Sequence, residues 1–219
     1  MDTRIIFHQS VDELKKALLR MGGLVEESIS KAVESLSALD EGLAREIVAK
    51  DDVIDELMLG VEESCLRLIA LQQPMASDLR LIGMALKIAT DLERIGDHAV
   101  DIAKVTIRLS GEELIKPLED IPRMALLVKN MLHESLLAFT EGDIHRAAAL
   151  AEKDDEVDKL YSILMTEIIG LMSQDLIRNR QLSHLMFVAH YLERVADHAT
   201  NIGEGVIYMV TGKRKDLNI

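Results

Sequence analysis

Aromatic side chains make up only 3% of this 219-residue chain, and tryptophan is absent. A core without large rings has to be filled by Leu, Ile, Val, Ala and Met. That is a helical palette because, β-branched residues aside, these lose little side-chain freedom in a helix. Proline is nearly as rare, and three in the whole chain leave room for long uninterrupted helices. The single cysteine, Cys65, cannot close an internal disulfide, which fits a reducing compartment. No His or Asn pattern accompanies it, so it reads as a core residue. No run approaches the roughly 18–20 apolar residues that span a bilayer, and charges interrupt every apolar stretch, as between Ile82 and Ile102. Met1 to Ser10 lacks a basic flank followed by an apolar block. These features predict a cytoplasmic protein with no membrane insertion.

Positive charge is also in deficit: 25 Lys and Arg stand against 38 Asp and Glu, a net charge of −13. Such a surface repels phosphate backbones and disfavours direct nucleic-acid binding. The only basic cluster is Lys213-Arg214-Lys215 at the tail. The balance suits cations or basic partner surfaces instead.

What the chain does have is a hydrophobic fraction of 48%, enough for a real core, and an internal repeat. Lys50-Asp51-Asp52-Val53-Ile54-Asp55 resembles Lys153-Asp154-Asp155-Glu156-Val157-Asp158. Leu92-Glu93-Arg94-Ile95-Gly96-Asp97-His98-Ala99 resembles Leu192-Glu193-Arg194-Val195-Ala196-Asp197-His198-Ala199. The first offset is 103 and the second 100, so the second copy is expected to be shorter in the turn between its two blocks. A duplicated unit of about 100 residues is implied.

Each copy reads as three long helices. In residues 1–111 they are expected at about 11–39, 43–71 and 77–109, with a turn at Asp40-Glu41-Gly42 and Ser77 as an N-cap. Ser110-Gly111 stops the third, and a segment with Pro117 and Pro122 links the repeats. In residues 112–219 the helices are expected at about 122–140, 143–173 and 178–211, ended by Gly212. Around Glu93, apolar Ala85, Ile88, Leu92, Ile95, Ala99 and Ile102 recur at three- and four-residue steps. The predicted fold is therefore all-α, two tandem three-helix bundles with antiparallel neighbours. Gly22-Gly23 would permit close helix contact, and the eleven methionines read as flexible core filler.

Four short blocks share the spacing acid-x-x-x-acid: Asp51/Asp55, Glu93/Asp97, Asp154/Asp158 and Glu193/Asp197. Four-residue spacing puts both carboxylates on one helix face, where like charges repel by a few tenths of a kcal/mol. The arc containing Glu193 and Asp197 continues through Asn201 and Glu204, with His190 beside it. The arc containing Glu93 and Asp97 continues to Asp101, but Lys104 follows. On the third helix this arc lies nearly opposite the apolar stripe, as an ordinary solvated face would. Recurrence on adjacent helices, at corresponding places in both copies, argues against that reading. Two neighbouring helices with two carboxylates each supply the oxygen donors that Mg²⁺, Mn²⁺ or Ca²⁺ prefer, and iron is held by similar clusters. His98 and His198 lie about 100° round the helix from the acids before them, and read as supporting or surface groups.

An enzyme is the alternative. A di-iron carboxylate oxidase needs Glu-x-x-His motifs, and no Glu here is followed by His at the third position. A metal-dependent all-α hydrolase would need acids at three-residue spacing or a His-Asp order, whereas this chain has spacing four and Asp-His. With no visible nucleophile or tuned acid–base pair, the expectation is a non-enzyme.

Three blocks carry a resemblance to the phosphate-uptake regulator (PhoU) family. Leu71-Gln72-Gln73-Pro74-Met75-Ala76-Ser77-Asp78-Leu79-Arg80 resembles its turn into the third helix. Asp91-Leu92-Glu93-Arg94-Ile95-Gly96-Asp97-His98-Ala99-Val100 resembles its acidic helix, and Leu192 to Ile202 resembles the second copy. The resemblance implies a homodimeric negative regulator of phosphate uptake. Its partners would be a phosphate ABC transporter and a phosphate-sensing histidine kinase, and its cofactors clusters of Fe, Zn, Mn or Mg. The ligands it implies are Asp51, Asp55, Glu93 and Asp97 for one site, and Asp154, Asp158, Glu193 and Asp197 for the other. Lys104 against Glu204, Thr90 against His190 and Asp101 against Asn201 put equal affinity of the two sites in doubt.

Overall fold

The structure is a computed structural model that describes residues 3–173 and 176–217. Among them there is no strand. The first repeat contains α1 (Thr3–Ala38), α2 (Glu41–Ala49), α3 (Asp51–Gln72) and α4 (Ser77–Leu109). The second contains α5 (Asp120–Glu141), α6 (Ile144–Ala148), α7 (Leu150–Met172), a 3₁₀ turn (Leu176–Arg178) and α8 (Asn179–Thr211). Two tandem three-helix bundles are thus present as expected, except that the middle helix of each is broken in two. No helix of the described residues is long and apolar enough to cross a membrane.

The middle helices start alike. Asp40 caps α2 by accepting Leu43 N–H (3.0 Å), and Asp143 caps α6 by accepting His145 and Arg146 N–H (2.9 and 3.0 Å). Each cap follows a left-handed residue, Gly142 (φ +68°) in one copy and Leu39 (φ +49°) in the other. Glycine adopts that conformation freely; leucine is strained in it. The breaks differ. Lys50 interrupts the first middle helix one residue before Asp51, whereas Ala149 interrupts the second five residues before Asp154.

The first helix begins at Thr3 and not near residue 11, and three further expectations shift. The second copy is shorter in its middle helix rather than in the turn: α3 runs on to Gln72 from Asp51, while α7 stops at Met172, closer to Asp154 by three residues. Such a deletion removes almost one helical turn and so roughly preserves which face points inward. Ser77 is the first residue of α4 and not its cap; Ala76 (φ +49°) precedes it without a side-chain cap. Pro122 lies in the first turn of α5, where its missing N–H costs no helical hydrogen bond.

One continuous core joins the bundles. The stripe Ala85, Ile88, Leu92, Ile95, Ala99 and Ile102 is buried throughout, and each leucine- or isoleucine-sized side chain so placed contributes about 2 kcal/mol. Burial on α4 extends past the stripe to Ala89, Gly96 and Ala103, because α1, α2, α3 and α8 all pack on it. Of the two early glycines, Gly22 sits where a Cβ would overlap Leu136 of α5, so it does permit close contact; Gly23 has open space. Cys65 is buried, and burial holds its thiol up at about 11, as a core cysteine requires.

Helices α4 and α8 run antiparallel along the seam between repeats. Arg80 meets Met209, Met84 meets Gly205, Asp91 meets His198, His98 meets Tyr191 and Arg180 meets Arg108. The repeats are thus related by a pseudo-twofold axis crossing this seam. Buried Gln181 ties down the linker between repeats. Its Oε1 accepts Ile115 N–H (2.7 Å), and its Nε2 donates to Glu113 O (3.0 Å) and Glu112 Oε2 (3.2 Å).

Candidate metal centres

In the first repeat α3 begins at Asp51, so Asp51 and Asp55 stand on its first two turns, beside the middle of α4. A packed pair sets their approach. Ile54 is buried against Gly96, where a Cβ would lie 3.0 Å from Ile54 Cδ1. In the second repeat the corresponding residues are Val157 and Ala196, both buried. Ile54 with Gly96 and Val157 with Ala196 have nearly the same summed volume, as close packing of the acid-bearing helices requires.

The four acids of each repeat act on one another. Burial first, then Asp55 and Asp97, hold the Asp51 carboxyl above the usual carboxylate range, with Lys104 opposing. Glu93 is raised by burial and then by Asp97, Asp55 and Asp51, with Arg94 opposing. In the second repeat burial, followed by Asp158 and Asp197, pushes Asp154 up to about 6. Asp158 is raised by burial and Asp197, and Glu193 by burial, Asp197 and Asp158 against the opposing charge of His190. The solvated reading is therefore corrected for Asp51, Glu93, Asp154 and Glu193, whereas Asp158 remains exposed. A helical wheel sees one helix, whereas α3 and α7 cover the flanks of α4 and α8 that carry the acids. Asp154 is only 8% exposed.

The two clusters differ in compensation. Arg94 Nη1 donates to Asp97 Oδ2 (2.9 Å), its Nε lies 3.3 Å from Glu93 Oε2, and Lys104 pairs with Asp101 at 3.4 Å. In the second cluster His190 Nδ1 lies 3.3 Å from Glu193 Oε2, and that buried oxygen accepts no hydrogen bond. An orphaned carboxylate oxygen within a set of four mutually repelling carboxylates fits a hard cation. Among the described residues no group of three or more such side chains is already closed round a common point, so holding an ion requires side-chain rotation.

The remaining expected ligands are placed less centrally. Asp101 pairs with Lys104 and stands by Tyr191. Asn201 is half-buried one turn beyond Asp197. Glu204 is engaged elsewhere: its Oε1 accepts Leu217 N–H (2.8 Å), at the end of α8 that faces the tail.

Sequence reasoning missed the polar contacts in the seam. His198 Nδ1–H donates to Asp91 Oδ1 (3.0 Å), both nearly buried, and at the symmetry-related place His98 stacks on Tyr191 at 5.6 Å. Burial, and then His198, depress His98 to about 4. The histidines thus bridge the repeats instead of joining the acids. The available signal was Asp91 itself, a charge on the buried arc of Ile88, Leu92 and Ile95, where an acid requires a partner.

Tandem three-helix bundles related across a pseudo-twofold seam, each gathering four carboxylates between two of its own helices, define an all-α repeat protein. The PhoU domain family matches residues 18–106 and again 121–206, and the chain belongs to the PhoU family. A Clostridium acetobutylicum relative named phosphate-specific transport system accessory protein PhoU homolog is 45% identical over 217 residues, covering 99% of both chains. Two crystal structures are similar at a TM-score of 0.89. One is the phosphate transport system regulatory protein PhoU from Streptococcus pneumoniae (35% identity, 96% of this chain and 99% of that one). The other is PhoU from Pseudomonas aeruginosa (36% identity, 94% and 100%).

Proposed function

We propose that this protein is a regulatory accessory of phosphate uptake, acting in the cytoplasm through protein partners and not as an enzyme, with divalent or iron ions held by its two acid clusters. Asp51, Asp55, Glu93 and Asp97 would hold one group of ions, and Asp154, Asp158, Glu193 and Asp197 the other. The observation that carries the metal reading is the mutual repulsion of four carboxylates gathered in each repeat, most of them buried or half-buried, with Glu193 Oε2 left without a hydrogen bond. When bound, a cation supplies the positive charge that these clefts lack. The residues themselves space the two helices, through Ile54 on Gly96, and set the charge. Arg94 and Lys104 already supply part of it in the first cluster, so the second should bind cations more tightly. The partners in this reading are a phosphate ABC transporter and a phosphate-sensing histidine kinase.

The test is complementation of a strain lacking the gene, with elemental analysis of the purified proteins. Wild type should restore low expression of a phosphate-starvation reporter in phosphate-rich medium and carry metal. A variant with Asp154, Asp158, Glu193 and Asp197 changed to Asn or Gln should lose metal from the second cluster and regulate poorly. Full regulation by a metal-free variant would refute the metal reading, and failure of wild type to regulate would refute the regulatory one.

A further inference from the structure

A cavity of about 660 Å³ lies away from the acid clusters, where the start of α4 meets the end of α8 and the tail. Four of its lining residues are cations: Arg80, Lys87, Arg214 and Lys215. Two are acids, Glu204 and Asp216, and Glu204 already accepts Leu217 N–H. Among the described residues none of the four cations has a carboxylate within ion-pair distance. Arg80 spends its Nε on Met209 O (3.0 Å), and Arg214 lies over the Tyr208 ring at 5.8 Å. A net positive cavity in a chain of charge −13 requires a reason.

The pseudo-twofold axis supplies an internal control. The counterpart of Arg80 is Arg180, which likewise reaches a main-chain carbonyl of the opposite helix, that of Arg108. Arg180 is neutralised by Glu112, just past the Ser110-Gly111 turn that follows α4. Gly111 (φ +80°) lies two residues past Leu109, the last residue of α4, and Gly212 (φ +71°) directly caps α8. After the first comes Glu112-Glu113, and after the second Lys213-Arg214-Lys215. One end carries its own anion. The other has exchanged that anion for cations and left a cavity. The wall is not uniformly polar, since Leu79, Met84 and Tyr208 line it too.

We infer that this cavity binds a small organic phosphate of nucleotide size. Its phosphate takes the place that Glu112 holds at the opposite end, on Arg80, Lys87, Arg214 and Lys215, and its organic part rests on Leu79, Met84 and Tyr208. A guanidinium fork suits phosphate oxygens, and the volume falls in the range of small-molecule sites. Neither acid cluster takes part, so the inference stands apart from the metal reading.

Calorimetric titration of the full chain in metal-free, low-salt buffer tests it, with ATP, AMP and inorganic phosphate as probes. ATP and AMP should bind one per chain, weaken at high salt, and bind about tenfold more tightly than inorganic phosphate. Because Arg80 also anchors α8, the surface changes Lys87→Glu and Lys215→Glu are tested beside Arg80→Gln. Each should weaken ATP binding about tenfold or more, with helical content unchanged by circular dichroism. Arg180→Gln at the opposite end should leave binding intact. The inference is overturned by absence of saturable binding of either nucleotide, by unchanged binding in the Lys87 and Lys215 variants, or by inorganic phosphate binding as tightly as AMP.

Discussion

Asp154→Asn should stabilise the metal-free protein at neutral pH and destabilise it in relative terms once metal is added. Asp154 is buried, and its carboxyl is pushed from 3.8 up to about 6. The native state therefore holds this proton more tightly than the unfolded chain does. Below pH 3.8 both states are protonated and the group contributes nothing. As pH rises toward 6 the unfolded chain ionises first and stability falls; above about 6 the loss is complete. At pH 7.5 it amounts to about 3 kcal/mol, and at pH 4.5 to about 1 kcal/mol. Asparagine keeps the shape and removes the charge. In chelator, the variant's melting temperature at pH 7.5 should exceed that of wild type by about 5–10 °C, shrinking to a few degrees at pH 4.5. Saturating Mn²⁺ or Zn²⁺ should reverse the order. An ion at about 1,000 times its Kd adds about 4.1 kcal/mol to the wild-type fold, more than the metal-free deficit, and a cleft without Asp154 loses most of that. Scanning calorimetry at both pH values, with and without metal, measures all four quantities. A variant less stable than wild type in chelator at pH 7.5, or an equal response of both proteins to metal, would refute the reasoning.

Gly96→Ala alone should cost about 1–2 kcal/mol net, since crowding against Ile54 outweighs the better helix propensity; adding Ile54→Val, as the second repeat has it, should recover most of the loss in denaturant titrations. Additive effects of the two changes would show that the pair does not set the spacing of the helices. Gln181→Leu should lower stability by about 1–3 kcal/mol by leaving Ile115 N–H without its acceptor, and hydrogen exchange at Ile115 should quicken. The protein should self-associate, since Leu59 and Leu66 on α3 and Ile163 and Ile169 on α7 are all more than half exposed; light scattering showing a monomer throughout a dilution series would contradict this.

The repeat, the helix count per copy and the stripe from Ala85 to Ile102 were legible because they are properties of one helix at a time. The breaks at Lys50 and Ala149 were not, since neither residue is a Pro or Gly and both middle helices carry apolar residues across them. The placement of the three-residue deletion was also hidden: motif offsets locate a gap between blocks but not within helix or loop. Which acids belong together was legible from spacing, and their mutual field in the structure agrees. Their burial was not, because it depends on Ile54 and Val157 bringing a second helix alongside. Glu204 fell on the right arc of its own helix yet turns to Leu217, a contact that only the returning tail creates. Lys213-Arg214-Lys215 read only as a basic cluster at the tail, whereas Arg214 and Lys215 share a cavity wall with Arg80 and Lys87.

The antiparallel pairing of α4 with α8 makes this chain a dimer written into a single gene. In a true homodimer every substitution appears at both ends, so an Asp facing a His at one end obliges the same at the other. Here Asp91 faces His198 while Tyr191 stacks on His98, and a glutamate neutralises Arg180 while lysines crowd Arg80. Duplication followed by fusion released each half from its twin. One half can keep an end sealed while the other opens it, and the two acid clusters can diverge in charge without losing the interface that holds them together.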